Sequence, residues 1–388
     1  MNQMSRPKWV VVVLFSVILS ACAGPLSKPS EESKAEKTST APTVAAQGNV
    51  SAKFLYKPPK SNDLIPRGLD FANAPSVIAF GSCAHQDFPQ PIWEVISKTN
   101  PDLFLFMGDN VYASNPETKP ISAQYEKLNQ IKEFRSFREK IPFLATWDDH
   151  DYGLNNGGAE NPEKEEAKKD FLNQWAYVRD SLKLNQGGIY YAKTLGGVRK
   201  KSPIVQVILL DTRWFRSPLK PAMEAQATGK NYLPNEDKGV TILGEEQWQW
   251  LERQLLKPAN LRLVVSSIQF IPENQGFEKW ANFPKEKERF ISLLKRTHAK
   301  NLFILSGDRH QGSISKMDIN GWGPLFEVTS SSLNRPKVYE ESDPTYLGPL
   351  VKTENFGLAL IDWQKKRIRF ELRNLQGETL NKIETSIK

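Results

Sequence analysis

Short apolar runs recur along this chain, and each stops abruptly on polar residues suited to chemistry. LFLFM at 103–107 shows no polar alternation and ends at Gly108, Asp109 and Asn110. The runs at 76–80, 142–146 and 302–305 behave alike, leading into GSC, WDDHD and SGDRH. An uninterrupted apolar run of this length suits a strand buried on both faces, as in a sheet covered by helices. In open α/β sheets, ligands collect in the crevice outside the carboxyl ends of such strands. Four strand ends of this kind predict one shared site.

Between these runs, helical stretches are expected at 91–98, 121–140, 163–180, 244–257 and 284–297, the last with a proline in its first turn. The stretch at 163–180 follows Asn161-Pro162 and opens with Glu163, Glu165 and Glu166, which complement a helix N-terminus. Strands are expected at 189–193, 204–210 and 261–270. After position 310 the pattern turns to β, at 313–319, 324–330, 357–363 and 367–372, where Ile368, Phe370 and Leu372 alternate. Residues 218–240 are polar and irregular and read as a surface insertion or lid. Two packed mixed sheets with helices outside account for both halves, so the predicted architecture is a four-layer α/β/β/α sandwich.

The ends of the chain differ in character from its middle. Arg6 and Lys8 precede an apolar run at 9–19 that is too short to span a bilayer comfortably and closes on small residues, the pattern of an export signal. Leu19-Ser20-Ala21-Cys22 resembles the bacterial lipobox, which implies cleavage before Cys22, its lipidation, and a membrane anchor outside the cytoplasm. Ala23 after that cysteine resembles the pattern of proteins sent on to the outer membrane in two-membrane cells. Residues 22–60 are rich in Ser, Thr, Pro, Ala, Lys and Glu and lack the apolar content to order themselves, as expected for a tether. The expected organisation is thus a signal at 1–21, a lipidated tether at 22–60 and one folded domain at 61–388.

The net charge is +8, and it stays positive once Arg6 and Lys8 leave with the signal. That excess suits anionic substrates or an anionic envelope, and there is no arginine–aromatic clustering of a nucleic-acid-binding module. Of the two cysteines, Cys83 alone remains in the mature domain, with no intrachain partner for a disulfide. It is buried, reactive or a ligand, and its place at a strand end favours the ligand.

Candidate chemistry gathers at the strand ends. Asp109 and Tyr112 stand three apart, so a helical turn after the strand faces both oxygens to one point, as hard donors for a divalent or trivalent metal. Asp148, Asp149, His150 and Asp151 form a run that a core would not tolerate unpaired. Asp308 and His310 offer carboxylate and imidazole again. Arg213, within LDTRWF at the end of the strand IVQVILLD, can either hold a phosphate oxygen with its planar fork or brace a neighbouring acid.

The ordered series FGSC, GDNVY, WDDHDYG, LDTRWF, SSIQF and SGDRH resembles the PhoD-like alkaline phosphatase and phosphodiesterase branch of the metallophosphoesterase (calcineurin-like) superfamily. The resemblance covers about 76–372. It implies that Asp109 bridges two metals and that Cys83 replaces an aspartate usual in the superfamily. With Tyr112 and His310, Cys83 would hold a ferric-type ion. Asp149 and Asp308 match a second site resembling a calcium site, Gln269 stands where a histidine ligand is common, and His150 matches the residue that protonates or stabilises the leaving oxygen. Asn155 and Asn156 match the asparagines that follow this motif, with their roles open. Only His85, His150, His298 and His310 are present, which excludes a histidine-rich two-metal centre.

The function so implied is metal-dependent hydrolysis of phosphate esters, mono- or diesters, by in-line attack of a metal-activated hydroxide. Two other readings compete with it. Cys83 can be a nucleophile with His85 as base, which leaves the acids unexplained. Alternatively, the chain is a non-catalytic envelope lipoprotein that binds a partner or polymer with the same fold.

Overall fold

The computed structural model describes residues 68–198, 202–223, 231–338 and 340–388. The expected signal, Cys22 and the tether lie outside the described residues. Within them, no helix is long and apolar enough to cross a membrane.

The first half alternates strand and helix. β1 (Val77–Gly81), α1 (Ile92–Lys98), β2 (Leu103–Met107), α2 (Ile121–Gln130), α3 (Lys132–Lys140), β3 (Phe143–Thr146), α4 (Asp149–Tyr152), α5 (Lys164–Gln174) and α6 (Ala176–Arg179) come first. Then follow β4 (Tyr191–Gly196), β5 (Ile204–Leu209), the short β6 (Lys220–Pro221) and β7 (Tyr232–Leu233), α7 (Gly244–Leu255), β8 (Leu261–Ser266), α8 (Pro284–Thr297) and β9 (Leu302–Ser306). The chain ends in β10 (Gly312–Ile319), β11 (Gly323–Ser330), β12 (Phe356–Asp362), β13 (Arg367–Arg373) and β14 (Thr379–Ser386).

These strands form two mixed sheets, one ordered β14-β13-β12-β1-β2-β3 and the other β10-β11-β9-β8-β5-β4. β1, β2 and β3 run parallel in the first sheet, as do β5, β8, β9 and β11 in the second. The parallel strands lie inside the second sheet and run from the middle of the first out to its β3 edge, and the carboxyl ends of β1, β2, β3 and β9 meet at one side of the sandwich. The side-chain period of two shows directly in β5, β8 and β9. Val205, Val207, Leu263, Val265, Phe303 and Leu305 belong to the core between the sheets, whereas Ile208, Val264 and Ile304 join Trp248, Leu251, Phe290 and Leu294 of α7 and α8 outside. Phe303 of one sheet meets Phe370 of the other with ring centroids 5.0 Å apart. On the opposite outer layer, Phe104 and Phe106 pack on Trp93 and Phe137. The architecture is the expected four-layer sandwich.

Several boundaries differ from the pattern-based expectation. The helix expected at 121–140 breaks at Ile131, which is extended (φ −69°, ψ 118°), and the second half then turns Phe134 and Phe137 onto Trp93. The helix expected at 163–180 breaks at Trp175, whose indole is fully buried against Phe106 and Phe143. The strand expected at 261–270 stops at Ser266, because 267–271 leave the sheet and Glu327 takes the Phe270 and Ile271 N–H groups instead. Part of the irregular 218–240 region pairs as the β6–β7 ribbon, and β14 is an additional edge strand.

Candidate metal centre

The strand ends converge. Cys83, Asp109 and His310 place ligand atoms within 4.8 Å of one another; so do Asp109, Asp148, Asp149 and Asp308, and likewise Asp109, Asp149 and His150. Asp109 is common to all three groups. The Tyr112 hydroxyl lies 3.4 Å from Asp109 Oδ2, and Cys83 Sγ lies 3.5 Å from the same oxygen.

The backbone at these positions is unusual. Cys83, Asp109, Asp308 and His310 all adopt positive φ, at 61°, 50°, 66° and 55°. Left-handed backbone costs a non-glycine residue roughly 1–3 kcal/mol, and such positions cluster where function needs them. Gly108 makes the approach of β2 to β3 possible: a Cβ there would lie 2.5 Å from Asp148 Cβ, and its φ of 105° is one glycine tolerates. Gly307 serves the same end, since a Cβ would meet Ser82 Oγ at 2.5 Å.

Each donor is oriented by neighbours. The His310 ring nitrogen Nδ1 lies 2.7 Å from the Arg335 carbonyl oxygen, so Nδ1 carries the proton and Nε2 keeps its lone pair. Burial, reinforced by Lys337, brings His310 down to about 3, so the ring is neutral as a ligand must be. Cys83 Sγ rests 3.2 Å from Ser331 Oγ, and burial pushes its thiol up. Asp149 Oδ2 accepts the Asn156 N–H at 2.7 Å, while Asn155 is exposed. His150 Nδ1 is 2.6 Å from Ser114 Oγ, and its ring lies over Tyr112 at 4.1 Å.

The electrostatics test whether cations suit this set. Burial raises Asp109 and Asp308 well above the carboxylate range, and the neighbouring acids raise them further. Asp148 rises to about 7 through burial, with Arg213 opposing and Asp149 and Glu278 reinforcing. Burial alone would lift Asp149 as well, but His150, Arg213 and the Asn156 N–H bring it down to about 2. Four carboxyl groups this close cannot all ionise without added positive charge. Asp148 Oδ2 and Asp149 Oδ1 are buried with no hydrogen-bond partner, a costly state that a bound cation would relieve. The donors fit two adjacent cations, one on sulfur, phenol and imidazole and one on carboxylates.

Arg213 is a correction. Its guanidinium is wholly buried, with Nη2 2.6 Å from Asp148 Oδ1 and Nη1 2.6 Å from Glu278 Oε2. Glu278 is shared with Arg216 at 2.9 Å. The fork is committed to two acids, so Arg213 is a brace and not a phosphate clamp. Gln269 spends its amide nitrogen on Thr329 and Ser313 and keeps a buried, unpartnered Oε1 beside a loop whose Ser267 bonds Asp148. His85 stacks on Tyr112 and Phe88, and its Nδ1 accepts the Asp87 N–H at 3.2 Å, so it does not serve Cys83 as a base. His298 is exposed and caps the end of α8.

Sequence reasoning passed over Asp148 as a ligand candidate, although the acid run displayed it. It also missed Ser331 and Arg335, because the β11 end carries serines in place of ligands that announce a metal. Tyr232, whose hydroxyl accepts from Asn156 Nδ2 at 2.8 Å, gave no signal inside a polar stretch.

Alkaline phosphatase D of Bacillus subtilis (strain 168) is 25% identical over a 308-residue alignment that covers 68% of this chain and 50% of the relative. The chain thus spans half the length of that curated relative. Among solved structures, PhoD superposes with a TM-score of 0.61 at 19% identity, covering 82% of this chain and 69% of PhoD. GAP50 of Plasmodium gives 0.54 at 14% identity, over 81% of this chain and 89% of its own. A dimetal phosphatase from Danio rerio gives 0.50 at 13% identity, over 81% and 100%. These structures share the fold. The family model for PhoD-like phosphatase matches residues 78–379, most of the chain and every strand end described above, and the chain belongs to that family.

Proposed function

We propose that this protein hydrolyses phosphate esters with two metal ions, as an exported lipoprotein anchored through Cys22. The observation that carries the reading is the single carboxylate, Asp109, shared between a Cys83–His310 group and an Asp148–Asp149–Asp308 group. Cys83, Tyr112, His310 and Asp109 would hold the first ion, and their thiol, phenol and imidazole suit Fe(III). Asp109, Asp149 and Asp308, with Asp148 beside them, would hold the second, a hard cation such as Ca(II), and the buried, unpartnered Gln269 Oε1 is a further candidate ligand. Bound there, the pair supplies Lewis-acid charge for the phosphoryl oxygens and an acidified water.

The remaining steps fall to the chain. Asp109 sets the spacing of the two sites and thereby the line of attack on phosphorus. Arg213 holds Asp148, and Asn156 holds Asp149, so neither carboxylate reorients as charge changes beside it. His150, fixed by Ser114 and by the Tyr112 ring, presents its second nitrogen to the departing alkoxide, a contribution worth about 10²–10⁴-fold. An envelope location would suit phosphate scavenging or trimming of phosphate-bearing polymers.

The test is hydrolysis of a chromogenic phosphomonoester and the matching diester at alkaline pH by the wild type and Asp109→Asn, with metals quantified. Turnover that Asp109→Asn abolishes, and that iron plus calcium restore to chelated wild type, is the expected result. Full turnover after chelation would refute it. Incorporation of labelled palmitate that Cys22→Ala eliminates is expected for the anchor, and equal labelling of both forms would exclude it.

A further inference from the structure

A cation at the edge of the cluster has no role in the chemistry above. Arg335 lies just beyond β11, on a segment pinned at both flanks. Asn334 accepts the His85 N–H at 2.7 Å and donates to the His85 carbonyl at 2.9 Å, while the Arg335 carbonyl holds His310. The Arg335 side chain is only partly exposed, and Cζ sits 4.9 Å from the centroid of the Tyr112 ring and 5.7 Å from that of Phe88.

The buried site arginines, Arg213 and Arg216, each face a carboxylate, and so does Arg309. Arg335 faces none among the described residues, and its Nε is buried without a hydrogen-bond partner. A guanidinium held against a phenol ring, with donors left open beside a cluster of metal-grade residues, is matched to an anion that arrives from solution. The planar fork fits phosphate oxygens. The Tyr112 ring beneath it lies 4.1 Å from the His150 ring, which places the guanidinium on the His150 side of the site.

We propose that Arg335 binds substrate, its guanidinium taking a terminal phosphoryl oxygen beside Tyr112 and His150, so that the site prefers phosphomonoesters to diesters. The inference rests on the hydrolytic reading above. Two non-bridging oxygens would be committed to the cations, and a third terminal oxygen exists only on a monoester. A guanidinium aimed at that oxygen therefore separates the two substrate classes. Because the contact to His310 runs through the Arg335 carbonyl, changing the side chain leaves that hydrogen bond in place.

The experiment uses the full chain in detergent micelles, loaded with iron and calcium, as wild type, Arg335→Ala and Arg335→Lys. It measures kcat/KM on a monoester and a diester of one aromatic alcohol, inorganic phosphate binding by calorimetry, and metal content. Arg335→Ala should lower kcat/KM on the monoester by about 30- to 300-fold and on the diester by less than about 5-fold, with phosphate Kd weakened to match the monoester loss. Arg335→Lys should recover part of both, and metal content should be unchanged. An unchanged ester ratio and phosphate Kd in an active enzyme would overturn the assignment while leaving the hydrolytic reading standing. Loss of a metal equivalent from Arg335→Ala would overturn it too, in favour of a role in holding Tyr112. If neither ester is turned over yet phosphate binding is lost in Arg335→Ala alone, Arg335 is an anion-binding residue and the hydrolytic reading fails.

Discussion

Replacing Arg213 with methionine isolates the brace behind the cluster. The wild-type guanidinium is fully buried, with one carboxylate 2.6 Å away on each side. Methionine fills much of the same volume but removes the only groups that both Asp148 and Glu278 share. Glu278 keeps Arg216 at 2.9 Å, so the penalty falls mainly on Asp148, left beside Asp149 and Asp308. Breaking a buried pair by removing one partner costs about 3–5 kcal/mol. For a domain of about 320 residues the unfolding entropy is roughly 0.7 kcal/mol/K, so Tm should fall by about 4–7 °C. Thermal unfolding followed by circular dichroism reads this directly. The drop should be largest without metal and smaller with it, because a cation on the carboxylates opposes the same charge. Asp148→Asn in the Arg213→Met background should recover part of the loss, and the two effects should be clearly non-additive. A Tm within 1 °C of wild type together with a hundredfold loss of activity would refute the brace and return Arg213 to the substrate.

Three further outcomes are expected. Asp148 has its pKa raised to about 7 in the fold, mainly by burial. The folded state therefore holds this proton more tightly than the unfolded state. Its contribution is fully present below about pH 4 and is lost as pH rises through 7, by up to about 4 kcal/mol. The Tm of metal-free protein should accordingly fall from pH 5 to 8, and Asp148→Asn should flatten the curve; a metal-free Tm that rises across that window would contradict the reading. Gly108→Ala should drive its Cβ into Asp148 and strain a φ of 105°, costing about 1–3 kcal/mol and releasing the second metal equivalent, as read by thermal shift and metal analysis. Tyr232→Phe should leave folding stability within about 1 kcal/mol of wild type but weaken calcium binding by about 10-fold, because Asn156 loses the partner that steadies it against Asp149; unchanged calcium affinity would show that the ribbon is only a surface feature.

Strands ending in ligating residues were legible because two signals coincided, an unbroken apolar run and a donor directly after it. β14 was not, since its inward positions are Asn381, Ile383 and Thr385, paired across from Leu372, Phe370 and Ile368. An edge strand with two polar residues in three inward places has no apolar period to read. The breaks at Ile131 and Trp175 were hidden for a different reason: helical periodicity continues through both, and only the aromatic cluster they pack into requires the chain to turn. Arg213 was visible as a residue and ambiguous as a role, because its partners lie 65 positions away in each direction and pairing at that distance is decided by tertiary structure.

The same distinction bears on the site itself. Left-handed backbone is open to glycine and tolerated by asparagine and aspartate, and this chain puts cysteine, two aspartates and a histidine at four such positions. Four residues hold left-handed backbone, at a cost of up to roughly 3 kcal/mol each and greatest for Cys83, and their ligand atoms meet around Asp109. Turn chemistry alone does not explain that coincidence, since glycine would be cheaper at each position. The strain is offset by the rigid sheets on either side, in which β1, β2 and β9 are buried along almost their whole length. A fold that only had to be stable would have relaxed at these four points; one that must hold sulfur, carboxylate and imidazole at a single place would not.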